Sequence, residues 1–388
     1  MSTSAKTAGT RTGTANSLES IVDSYNAQAP LAEARTIPAS WYTDAGIAEL
    51  EKQAVFGRTW QAIGRRDQVA EPGAFFTIEL AGEPLVAARG ADRVLRAFYN
   101  VCRHHAAAVV TEAEGQATNF RCPYHGWTYG TDGALKGMTD FEGVCDFERS
   151  QNGLVPARVA GWEKFVFVNL DEKAEPLEKF LGGLVKRVAP LRLESLKFFE
   201  RRTYDLECNW KVYVDNYLDG GYHVPHLHKG LNSVLEYANY TIENEDRFCV
   251  QSSPVNASKA SADADAAATR QGDRAFYFWQ YPNFMLNWYE GYLDTNLVVP
   301  LGIDRCRVVF DFYFTETGDA AKDYNRQSIA VSHRVQEEDV AICEAVQRGL
   351  HSRAYNAGRL SVRREAGEHL FHRLLHTDLK RALAAPAL

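Results

Sequence analysis

Apolar residues change their spacing several times along the chain, and each change marks a different kind of element. Ile47, Leu50, Val55 and Phe56 stand among polar residues at helical intervals, predicting a helix over residues 43–56. From Gly73 the period falls to two. Residues 75–80 (FFTIEL), 83–90 (EPLVAARG) and 94–101 (VLRAFYNV) predict short strands, with turns at Ala81-Gly82-Glu83 and Gly90-Ala91-Asp92. Thr131-Asp132-Gly133, between residues 127–130 and 134–137, predicts a hairpin because glycine accepts positive φ. Residues 164–170 (KFVFVNL) add a strand. These segments define a small all-β domain over residues 57–170, preceded by a flexible tail over 1–37 and a helical segment over 38–56.

Beyond residue 170 the pattern predicts a helix over 175–191, a strand over 197–207, strands near 293–300 and 306–315, and helices over 319–348 and 364–383. Strands flanked by helices in runs, without strict alternation, indicate an α+β domain over 171–388 built on an antiparallel sheet, to which the 38–56 segment belongs. Residues 257–274 are small and polar and predict a mobile loop. Between them lies NWKVYVDNYLDGGYHVPHLH, residues 209–228, where Asp215, Asp219 and His223 recur every four residues and so share a helix face. Pro225 ends or kinks that helix, leaving His226 and His228 on a turn.

Composition narrows the function. The 388-residue chain carries a formal net charge of −7, without the clustered Lys and Arg that nucleic-acid phosphates require. No apolar run approaches the ~20 residues of a membrane span. The seven cysteines are scattered and odd in number, which indicates free thiols and a reducing compartment such as the cytoplasm. The first 18 residues hold Lys6 and Arg11 and no acid, so an organelle stroma is the alternative. No GxGxxG or GxxxxGK[ST] pattern is present, so nothing predicts a dinucleotide or nucleotide-phosphate cradle.

Two clusters carry chemistry. Cys102-Arg103-His104 and Cys122-Pro123-Tyr124-His125 each supply one thiol and one imidazole. On two loops of a β domain they can give two thiolates to one metal and two imidazoles to another, the ligand set of a Rieske [2Fe–2S] centre; a mixed zinc site is the alternative. His105 is out of register and is read as a neighbour. Such a cluster passes single electrons and needs a second site to use them. His223 and His228, with His226 competing for the second place, are the imidazoles of a mononuclear Fe(II) site that leaves positions open for O2 and substrate. Its carboxylate must come from elsewhere. The acids in residues 336–344 are candidates, although acids on a helix are mostly solvated surface.

The chain resembles the oxygenase α subunits of the Rieske non-haem iron family, and within it the choline monooxygenase group. SWYTD, EPLVAAR, CPYHGW, ECNWKVYVDNYLDGGYHVPHLH, YPNF, EEDVAICEAVQRGL and AYNAGR carry the resemblance. It implies a Rieske domain followed by a catalytic domain, with Cys102, His104, Cys122 and His125 on the cluster and His223, His228 and Asp339 on the iron. It also implies a homo-trimer in which a carboxylate passes electrons between subunits, supplied from NAD(P)H by a separate ferredoxin or flavin reductase. The family's bridging acid falls here at Gly220. Asp219 therefore takes the role through an extra residue in the helix, as in a π-bulge, or Asp215 shares it.

The implied reaction is hydroxylation beside a quaternary nitrogen, choline to betaine aldehyde hydrate. Demethylation or cleavage of betaine or carnitine, or attack on an aromatic ring, are the alternatives. A trimethylammonium group is recognised by aromatic faces, and Tyr281, Trp288 and Tyr289 in the aromatic run 276–292 are the candidate cage; a buried aromatic strand is the other reading.

Overall fold

The computed structural model describes residues 17–255 and 263–384. In its first half the predicted alternation becomes β1 (Gln61–Arg65), β2 (Ala74–Leu80), β3 (Glu83–Arg89), β4 (Leu95–Tyr99), β5 (Glu114–Gln116), β6 (Asn119–Arg121), β7 (Thr128–Gly130), β8 (Leu135–Gly137), β9 (Pro156–Trp162) and β10 (Phe165–Asn169). Seven of these form an antiparallel sheet in the order β1-β10-β9-β4-β3-β2-β5, and β6-β7-β8 form a separate three-stranded sheet. Strand β1 escapes the pattern because nearly all of it is buried, Gln61 and Arg65 included, so burial does not alternate along it.

Residues 17–37 are not the free tail expected from composition. Ser17 caps α1 (Leu18–Asp23), and Ile21, Val22 and Tyr25 are buried in the core of the second domain. The Trp41 indole donates to the Ile21 carbonyl at 3.0 Å. Residues 1–16 lie outside the described residues. The helix predicted over 43–56 is α3 (Ala45–Glu51), continued by a π-helical turn over Lys52–Phe56; Asp44 ends a further short helix, α2 (Ala39–Thr43), and its carboxylate then accepts from Gly46 and Ile47 N–H to start α3.

The helix predicted over 175–191 is two, α4 (Leu177–Leu181) and α5 (Leu184–Val188), parted at Gly182 with φ 55°. There follow β11 (Lys197–Leu206), α6 (Trp210–Leu218), α7 (Val224–Leu227), α8 (Lys229–Asn232), β12 (Thr241–Glu245), β13 (Phe248–Pro254), α9 (Ala264–Thr269), β14 (Arg274–Gln280), β15 (Phe284–Tyr289), β16 (Tyr292–Gly302), β17 (Arg305–Phe314), α10 (Lys322–Leu350) and α11 (Ala366–Ala384). The strands make one antiparallel sheet, β11-β17-β16-β15-β14-β13-β12.

Of the loop predicted over 257–274, residues 257–262 lie outside the described residues. Residues 264–269 of the rest are helix instead: alanines favour it, Asp263 caps α9 by accepting from Ala266 N at 3.0 Å, and α9 packs on α10.

The period-two pleat of this sheet sorts its side chains between two cores. Phe278, Phe284, Leu286 and Tyr313 face Trp60, Phe165 and Phe167 of the β domain and the helices α4 and α5. Trp279, Met285, Tyr289 and Phe312 face the opposite way, toward the layer containing α6, α10 and α11. Each face buries apolar area worth roughly 25 cal/mol per Å², so the sheet is held from both sides. No described helix is long and apolar enough to cross a membrane.

Candidate active site

The site begins where α6 stops. Asp219 follows its last residue, and Gly220 and Gly221 both take left-handed φ, 67° and 68°. A side chain at Gly220 would collide with the Arg364 carbonyl, so the bridging acid cannot stand there. The two glycines instead turn the chain so that Asp219 Oδ2 accepts from the His223 backbone N–H at 3.0 Å and lies 2.6 Å from His223 Nδ1. This corrects two expectations. Asp215, Asp219 and His223 do not share one helix face, and the chain from Asp219 to His223 is a glycine turn with no π-bulge. Pro225 begins α7 instead of ending a helix, because the first turn needs no N–H from it.

His228 follows α7 and is 1% exposed. Its Nδ1 lies 2.6 Å from Glu338 Oε2, and its Nε2 lies 3.0 Å from Asp339 Oδ1. His223 Nε2 is 3.8 Å from the same Asp339 oxygen, and the ligand atoms of the three residues all lie within 4.8 Å of one another. Carboxylates thus hold both Nδ1 atoms, and both Nε2 atoms converge on Asp339. Second partners of this kind fix ring orientation at metal sites. Burial alone would lower the His228 pKa, but the hydrogen bonds and charges of Asp339 and Glu338 raise it. Asn216 Nδ2 donates to Asp339 Oδ1 at 2.8 Å.

His226 is exposed and stands outside this group. Asp215 lies elsewhere too: it accepts from Tyr42 Oη and lies 3.0 Å from His372 Nε2. It shares with Asp219 a second cavity, lined also by Ile342, Val346 and Tyr355. Glu338 was passed over in the sequence because acids on a long helix are read as solvated surface. Its place beside Asp339 was the available signal.

A cavity opens onto His223, His228 and Asp339, walled by Tyr213, Tyr217, Tyr240, Tyr277, Tyr289 and Phe310. Burial pushes the tyrosine phenols up, so they are neutral near pH 7. Of the three predicted cage residues only Tyr289 lines this cavity. Trp288, its neighbour on β15, points to the other face and packs with Phe276. Tyr281 donates to Asp378 at 2.8 Å and packs on Phe371, away from the cavity. Sequence reasoning missed Tyr213 and Tyr217, although their spacing of four on α6 places them on one face. Arg270 and Asp294 also line the cavity, and the Asp294 carboxylate accepts from Tyr292 and Asn287 at 2.7 and 2.8 Å.

The second cluster is built from two matching turns. Cys102 donates its N–H to Ala107 and its carbonyl accepts from Ala106; Cys122 does the same with Trp127 and Gly126. Ala106 and Gly126 both have positive φ, 60° and 72°. Both cysteines are buried, and Cys102 Sγ lies 3.4 Å from Tyr129 Oη. The His104 ring stacks on Trp127 at 4.8 Å, lies 4.8 Å from the His125 ring, and has a buried Nδ1 with no partner among the described residues. Two buried thiols with an imidazole nitrogen left open fit a metal cluster. His105 lies 4.1 Å from His104 by ring centroids but is exposed.

Residues 59–148 match the Rieske [2Fe-2S] domain family, and residues 193–380 match the ring hydroxylating alpha subunit (catalytic domain) family. The chain is 40% identical to the chloroplastic choline monooxygenase of Arabidopsis thaliana, over 96% of its own length and 89% of that protein. It is 34% identical to the carnitine monooxygenase oxygenase subunit of Escherichia coli (strain K12), over 88% and 93%. Among solved structures, a quaternary ammonium Rieske monooxygenase in complex with L-carnitine superposes with TM-score 0.76 at 30% identity, covering 89% of this chain and 95% of that one. A naphthalene 1,2-dioxygenase from Rhodococcus sp., at 19% identity and TM-score 0.76 with 90% and 95% covered, shares the fold.

Proposed function

The chain belongs to the Rieske non-haem iron oxygenase α subunits, and on that premise we propose that it hydroxylates a C–H bond beside the nitrogen of a small quaternary ammonium compound. The observation that carries this reading is a cavity walled by neutral tyrosines that opens directly onto His223, His228 and Asp339. Aromatic faces stabilise a cation that has no hydrogen to donate, by about 0.5–2 kcal/mol each. An aromatic hydrocarbon would gain nothing from the buried Asp294 carboxylate beside them. Choline, the expectation from sequence, and betaine-type compounds are the candidate substrates. The similarity to both choline and carnitine monooxygenases supports the class.

Cys102 and Cys122 with His104 and His125 would hold the [2Fe–2S] cluster, and His223, His228 and Asp339 the Fe(II). When bound, the cluster supplies single electrons and the iron supplies O2 activation. Asp219 and Glu338 hold the two histidine rings by their Nδ1–H groups, and the tyrosines exclude water from the reacting carbon.

The reading includes a homo-trimer. Asp219 borders a cavity with half-exposed Ile342, Val346 and Tyr355, and Tyr124 beside the cluster is 64% exposed, so both ends of an inter-subunit contact are available. The related carnitine-oxidising structure is described with inter-subunit electron transfer. A separate reductase would take the electrons from NAD(P)H. A reducing compartment belongs to the same reading, from the scattered and odd-numbered cysteines of the sequence.

The test is O2 uptake by the iron-loaded protein with a generic reductase and NADH. Choline, glycine betaine, carnitine and simple aromatics are offered in turn. Stimulation by at least one trimethylammonium compound and by none of the aromatics is expected; stimulation by aromatics alone would overturn the proposal.

A further inference from the structure

Arg270 follows α9 and is 3% exposed, on the wall of the tyrosine cavity. Its guanidinium donates to the hydroxyls of Ser328 and Ser332 on α10, both at 2.7 Å, and makes longer contacts to Thr269 and the Ser328 carbonyl at 3.4 and 3.3 Å. All of these partners are neutral, and Arg270 makes no ion pair among the described residues. Residues 256–262 contain no Asp or Glu that could supply one. The carboxylate that acts on it, Asp294, is reached through two hydroxyls, and a buried cation with no counter-ion in direct contact is a candidate to pair with a ligand anion.

The guanidinium also stands over Tyr289 at 5.1 Å and Tyr292 at 4.6 Å. The Tyr289 face is therefore already occupied by a cation of the protein. A substrate ammonium falls instead to Tyr213, Tyr217, Tyr240 and Tyr277, on the side of Asp294, whose pKa burial raises against the opposing hydrogen bonds from Tyr292 and Asn287 and the charge of Arg270. Arg270 and Asp294 are kept apart by two hydroxyls: Ser332 Oγ lies 2.8 Å from Tyr292 Oη, which donates to Asp294 at 2.7 Å. The cavity thus has a cationic side at Arg270 and a tyrosine-lined side at Asp294. Ser332 stands about two helical turns, roughly 10 Å, before Asp339 on α10, a span that a molecule a few bonds long can bridge from the iron ligands.

Resting on the quaternary-ammonium reading, we propose that Arg270 recognises a carboxylate, and that the substrate is a betaine-type zwitterion in preference to the alcohol choline. The guanidinium presents five N–H donors, and the two long contacts are those a carboxylate would replace with a paired bond.

Isothermal titration of the metal-loaded protein with glycine betaine, choline and 3,3-dimethylbutyrate, the carboxylate whose tert-butyl group replaces the trimethylammonium, tests this directly. Glycine betaine should bind about tenfold more tightly than choline, and Arg270→Gln should remove that difference by weakening glycine betaine alone. Arg270→Lys should restore part of it. If Arg270→Gln fails to fold, the ranking by the unaltered protein still decides. Equal binding of choline and glycine betaine overturns the assignment of Arg270 and leaves the proposed function standing. Tight binding of 3,3-dimethylbutyrate without binding of choline overturns the quaternary-ammonium reading and upholds Arg270. Binding of none of the three overturns both.

Discussion

Exchanging Asp219 for asparagine asks whether the glycine turn after α6 exists to hold His223. Asp219 Oδ2 faces two donors, the His223 N–H at 3.0 Å and Nδ1 at 2.6 Å, while Oδ1 accepts from Tyr222 N–H at 3.1 Å. Asparagine keeps the shape but turns one oxygen into an NH2 group, so a donor meets a donor whichever way the amide lies. A hydrogen bond to a charged group contributes about 1.5–3 kcal/mol. Loss of a carboxylate behind a metal-binding histidine lowers metal affinity about 10–100-fold, or roughly 1.4–2.8 kcal/mol, so the two estimates agree. Iron affinity is measured by chelator competition on anaerobic protein, with the visible absorption of the cluster as an internal standard. Asp219→Asn should lose iron at ~10–100-fold lower chelator while the cluster stays filled. Asp215→Asn should leave iron affinity unchanged, since its bonds go to Tyr42 and His372. With iron restored to saturation, Asp219→Asn should still turn over slowly if it bridges subunits. Unchanged iron affinity in Asp219→Asn, or an equal loss in Asp215→Asn, would refute the reasoning.

Glu338→Gln should weaken iron less than Asp219→Asn, by roughly threefold to tenfold in the same chelator assay, because the residue is 43% exposed and water can replace part of its bond. Gly220→Ala combines left-handed backbone with a collision at the Arg364 carbonyl and should cost about 1–3 kcal/mol or more, read as a fall in Tm. Glu368 is buried, and that burial, followed by the charges of Asp215, Glu365 and Asp219, pushes its pKa well above the ordinary 4.5. The folded state therefore holds a proton that the unfolded state releases above 4.5, so this residue's contribution to stability falls as pH rises from there toward its folded pKa. Glu368→Gln should flatten that slope in denaturant titrations from pH 5 to pH 8; an unchanged slope counts against the assignment.

Local periodicity made most of the fold legible. The β2, β3 and β4 strands and the helices α10 and α11 follow their apolar spacing within a few residues. It failed where burial or capping overrode spacing: β1 is buried on both faces, Asp44 serves two helices, and residues 17–37 pack by a few apolar contacts that a Ser- and Ala-rich composition conceals. The metal-binding residues were legible because thiols and imidazoles are scarce and their spacing is local. The substrate cage was not. Pleat direction decides that Tyr289 faces the cavity while Trp288 does not, and a run of aromatics gives no register by itself. Arg270 was hidden by lying in a stretch that looked like loop, and Glu338 by looking like surface.

The seven-stranded sheet of the second domain shares one of its faces with the first, through Phe278, Phe284 and Tyr313 against Trp60, Phe165 and Phe167. The two halves of the chain are accordingly not separable modules. A fragment ending near residue 170 would carry Phe165 and Phe167 into solvent, and a fragment beginning there would bare a wide aromatic sheet face prone to self-association. Heating should therefore melt the intact chain in one cooperative transition, with loss of cluster colour and loss of sheet circular dichroism coinciding. Either half expressed alone should be recovered mainly as aggregate.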